Sequence, residues 1–62
     1  MNTLKFKGFL AERQISQAQL AEVLGLSPQS VNKKVNGKED FTLAQIKKIC
    51  TEYGISADEY FL

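Results

Sequence analysis

Six hydrogen-bonding side chains lie within the short stretch Pro28 to Asn36, and no carboxylate accompanies them: Gln29, Ser30, Asn32, Lys33, Lys34 and Asn36. At about 100° per residue, Val31 and Val35 fall together on one side of a helix. Gln29 and Lys33 then project almost opposite, flanked by Ser30 and Asn36, with Asn32 and Lys34 nearer the edges. An amide donates and accepts at once, which suits N6 and N7 of adenine, and a lysine donates to O6 and N7 of guanine. The plainer reading of the same pattern is a solvated polar helix face. Either way the chemistry is recognition rather than bond-making. The chain has no His and one Cys, no nucleophile and base at recognisable spacing, and no glycine-rich phosphate loop. An enzyme is therefore not expected, nor a metal site, a cofactor or a small-molecule substrate.

Those side chains need an element to present them, and Gln17 to Gly37 supplies it. Gly25 follows Val23 and Leu24 where a helix would stop on a residue with positive φ. Leu26 plugs the corner. Ser27 is suited to cap the next helix, and Pro28 fits its first position, where a missing N–H has no partner to lose. Two helices joined so tightly cannot lie side by side, so they cross steeply as a helix-turn-helix. Small Ala21 lets them approach closely.

At these residues the stretch resembles the lambda-repressor-like family of Cro and repressor helix-turn-helix domains, of XRE type. The matching features are the Gln that starts the first helix, the Ala-x-x-x-Gly spacing of Ala21 and Gly25, Val31, and the exit Asn36-Gly37-Lys38. The continuation KKVNGKEDFTLAQIKKIC is similar to a phage and prophage subgroup. The resemblance covers nearly the whole chain. It implies a sequence-specific binder of double-stranded DNA acting on transcription, as a repressor by occlusion. It also implies base reading from the helix at 28–36 by Gln29 and Lys33, with Ser30 and Asn32 at the margins, and phosphate contacts from Gln17, Ser27, Asn36 and Lys38. A homodimer on two half-sites fits so small a domain. Two departures stand out. The family often has an apolar residue three after Val31, where this chain has Lys34, and Pro28 replaces a side chain that often reads a base.

Sixty-two residues make one domain, 1–62, with the helix-turn-helix proper at about 17–37. Single Cys50 excludes an internal disulfide and is expected as a reduced thiol on an apolar helix face. No signal peptide or apolar run of membrane-spanning length is visible, so a cytoplasmic protein without membrane contact is expected. Net charge is only +1, but its distribution is uneven. Residues 1–38 carry +4 and residues 39–62 carry −3, so the positive pole holds the helix-turn-helix. A chance imbalance in a small protein is the alternative.

Five short helices in a compact all-α bundle are expected. Residues 3–13 form the first, capped by Asn2 or Thr3, with Leu4, Phe6, Phe9 and Leu10 as its apolar stripe. Gly8 in its middle costs up to about 1 kcal/mol against Ala, which a close backbone contact would explain. Ser16 with Gln19, Thr42 with Gln45 and Ser56 with Glu59 each have capping-box spacing and open the second, fourth and fifth helices. Leu43, Ile46, Ile49, Cys50 and Tyr53 supply the buried stripe of the fourth, which Gly54 ends. Glu39 and Asp40 either point away from the DNA side or pair with Lys33, Lys34 or Lys38. Phe41 anchors the loop to the core. Tyr60, Phe61 and Leu62 close the core over the first helix or form a two-fold contact. A competing reading keeps the fold and changes the partner: a protein-interaction module of antirepressor or antitoxin type. The modest net charge, the Glu39-Asp40 pair and the apolar tail favour it.

Overall fold

Side-chain caps set the start of four of the five helices. In the computed structural model, which describes residues 1–62, α1 spans Thr3–Glu12, α2 Gln17–Leu24, α3 Pro28–Val35, α4 Leu43–Tyr53 and α5 Ala57–Tyr60. Asn2 caps α1 by accepting from the Lys5 N–H at 3.0 Å. Ser16 and Gln19 form a full capping box on α2, and Thr42 and Gln45 form another on α4. Each box satisfies two backbone N–H groups that the first turn leaves without partners. The expected third box is absent: Ser56 makes no side-chain cap bond to the one-turn α5.

The core is a single cluster drawn from all but the last turn of the chain's elements. Phe6, Leu20, Val31, Val35 and Ile49 are essentially sealed from solvent, and Phe9, Leu10, Ala21, Phe41 and Phe61 join them. Phe61 lies 5.1 Å from Phe6 and meets Phe41 edge-on at 5.8 Å, so the C-terminal residues close the core over α1. The Asn2 N–H donates to the Tyr60 carbonyl at 2.8 Å and ties the chain ends together. Burial pushes the Tyr53 phenol above its ordinary pKa, with the Glu52 carboxylate adding to the effect. Leu62 itself stays outside.

Two expectations from periodicity fail here, and an explanation offered for Gly8 fails with them. Leu4 is 82% exposed and Leu43 is 67% exposed, although both lie on the apolar stripes of their helices. Each sits in the first turn of its helix. Gly8 has no close neighbour: nothing approaches the place where a Cβ would stand. Nothing in the structure explains a glycine there.

Candidate nucleic-acid interface

The turn between α2 and α3 has the geometry its residues dictate. Gly25 adopts φ 68° and ψ 32°, the left-handed conformation that costs a glycine least. The Leu26 N–H then donates to the Ala21 carbonyl at 2.9 Å, closing the end of α2. Ser27 turns the chain into α3, its Oγ accepting from the Ser30 N–H at 3.2 Å. Val31 and Val35 are buried beneath α3, so the opposite side of that helix stands outward.

Gln17, Pro28, Gln29, Asn32, Lys33 and Lys38 line one open depression across α2, α3 and the loop after α3. Its lining includes no carboxylate, and Pro28 is the only lining residue without a polar side chain. Five of the eight sequence-derived candidates therefore meet in one place. Ser27, Ser30 and Asn36 lie outside it. The Ser27 oxygen is occupied by the helix cap, although its hydroxyl proton is free to donate. Ser30 is half-buried. Asn36 donates one amide hydrogen back to the Asn32 carbonyl at 2.8 Å, extending the end of α3 and leaving its other amide hydrogen available.

One bond inside the depression was not legible in the sequence. The Asn32 Nδ2 donates to Gln17 Oε1 at 3.1 Å, across 15 residues. The Gln17 carbonyl oxygen is thereby engaged, and its amide N–H₂ group is left to face outward as a donor. Gln17 also sits at the N-terminus of α2, where free backbone N–H groups and the helix dipole favour an anion.

Lys34 belongs to the structure rather than to the outward face. Its stem is buried beside Val31 and Val35, and its ammonium donates to the Asp40 carbonyl at 2.9 Å. The Nζ also stands 6.0 Å from the centre of the Phe41 ring. Helical spacing put Lys34 near the edge of the outward face, whereas the structure turns it inward, to the place where the resembled family often has an apolar residue. A long methylene stem permits this by filling an apolar gap and delivering the charge at its rim. Glu39 lies 4.0 Å from both Lys33 Nζ and Lys34 Nζ, so it pairs rather than points away. Asp40 makes no ion pair, and its part is played by its backbone carbonyl.

Residues 5–59 match the model of the family described as the Cro/C1-type HTH DNA-binding domain. No curated protein and no solved structure matches the chain significantly. No helix is long and apolar enough to cross a membrane.

Proposed function

The chain belongs to the Cro/C1-type helix-turn-helix DNA-binding family, and from that premise we propose that it is a sequence-specific repressor of phage or prophage type, working in the cytoplasm by occluding promoter DNA. The observation that carries this reading is the depression on the outward side of α3, where five polar side chains converge over a helix anchored by Val31 and Val35. A protruding second helix fits the major groove. Gln29 and Lys33 are exposed and reach base edges, with Asn32 and Ser30 at the margin. Lys38, Gln17, Ser27 and Asn36 hold the phosphates on either side and set the register. Asn32 has a second role in this scheme, since its bond to Gln17 aims the Gln17 amide at the backbone of the duplex. One domain with a radius of gyration of 10.2 Å covers little DNA, so two copies bind half-sites about one helical turn apart. No residue is assigned a catalytic role.

The exposed Leu43 and Leu62 favour a second reading, a module of antirepressor or antitoxin type that docks a polypeptide. Selection of bound sequences from random duplexes separates the two. A regulator of this kind enriches a motif with two-fold symmetry, and its affinity falls steeply with salt as counterions are released. Failure to enrich any motif, with affinity for duplex DNA indifferent to salt, would refute the repressor reading.

A further inference from the structure

We infer that Glu39 is an intramolecular competitor of DNA for Lys33, and so sets the affinity of the interface; the inference rests on the DNA-binding reading above. On one side the carboxylate stands 4.0 Å from Lys34 Nζ, whose side chain is largely buried and whose ammonium is committed to the Asp40 carbonyl at 2.9 Å. It is held on the other side by the backbone. The Glu39 N–H donates to the Lys33 carbonyl at 3.4 Å and the Lys38 N–H to the same oxygen at 2.9 Å, folding the loop over the end of α3. Lys33 is the movable member of the set. Its side chain is 58% exposed and borders the polar depression, while its Nζ stands 4.0 Å from Glu39 Oε1.

The free protein thus keeps its outward lysine beside a half-exposed carboxylate that two lysines share. Binding exchanges that anion for a guanine edge or a phosphate oxygen, and the displaced carboxylate then faces a negatively charged duplex. An exposed pair at this distance is weak. Glu39 therefore tunes affinity rather than locking the site, and salt should screen the effect.

The test uses the full chain and a fluorescent random-sequence duplex of about 20 base pairs, at about 50 mM and about 200 mM salt. Glu39→Gln and Glu39→Ala should each tighten binding about 2–5-fold at the lower salt, with a smaller gain at the higher. Glu22→Gln, which changes net charge equally from the exposed side of α2, should tighten it less. In a Lys33→Ala background the gain from Glu39→Gln should vanish, because the competition acts through that lysine. Unchanged affinity in both Glu39 variants overturns the inference. So does an equal gain with and without Lys33, which would mark simple repulsion of the phosphates. A parent chain with no salt-dependent DNA binding removes the functional reading and this inference together. A parent that binds, with Glu39 variants that match it, removes this inference alone.

Discussion

Six aromatic rings, those of Phe6, Phe9, Phe41, Tyr53, Tyr60 and Phe61, interlock around α1 with centroids 5.1 to 6.5 Å apart. On the outward side of α3 a single side-chain hydrogen bond, Asn32 to Gln17, joins one helix to another. The aromatic side stabilises by burying surface and by edge-to-face contact, which are insensitive to salt. The polar side keeps its donors and acceptors largely unspent, which contributes little to folding and leaves them available to a partner. On the proposed DNA-binding reading, stability and recognition are carried by different residues, joined through α3, whose inner valines belong to one region and whose outer amides belong to the other.

The comparison predicts that damage to one region should leave the other intact, and the largest effect should come from the aromatic side. Phe6 is fully buried and touches Phe9, Phe41, Tyr60 and Phe61. Phe6→Ala should cost about 3–5 kcal/mol, against a total of about 3–9 kcal/mol for a domain this size. Thermal unfolding followed by circular dichroism should show a large fall in Tm or a chain unfolded at room temperature. DNA affinity per folded molecule should hold. A variant that melts like the parent would break the assignment of stability to this cluster.

Gln29→Ala is the converse experiment. Gln29 is exposed and its side chain makes no hydrogen bond within the chain, so Tm should not move. Affinity for the selected site should fall by about 1–3 kcal/mol while affinity for random duplex stays put. Equal loss on both duplexes would make Gln29 a general contact rather than a reader of sequence.

Much of this division could be read from the chain because its signals are local. Ser16, Ser27 and Thr42 cap helices through partners three residues away, and Gly25 and Gly54 end them through their own φ. Val31 and Val35 were legible for the same reason: one helix turn fixes their common face. The failures depend on what a neighbouring element reaches. Periodicity put Leu4 and Leu43 on apolar stripes, but both side chains stay exposed. The Gln17–Asn32 bond spans the turn, and nothing in either residue's type announces it. The spacing of Ser56 and Glu59 suggested a box, yet a helix of four residues is too short to hold its first turn in register.

Lys34 gives the finest test because it lies on the seam between the two regions. Its stem packs with the buried valines, while its ammonium, through the Asp40 carbonyl, holds the loop that carries Lys38. Lys34→Ala removes both and should cost about 1–2 kcal/mol of stability. Lys34→Met keeps the stem and removes the charge. It should stay within about 1 kcal/mol of the parent, because a buried ammonium that is lost no longer has to be desolvated. In both variants the loop loses its tie at Asp40 while Lys38 keeps its backbone bond to the Lys33 carbonyl, so the salt slope of DNA binding should flatten by up to about one unit as the Lys38 phosphate contact weakens. Chemical unfolding and salt titration of the same two proteins read the two effects separately. If Lys34→Met keeps its stability and loses the slope, the ammonium positions the loop and the stem fills the core. If both variants keep the parent's slope, the seam transmits nothing, and the two regions are more independent than their shared helix suggests.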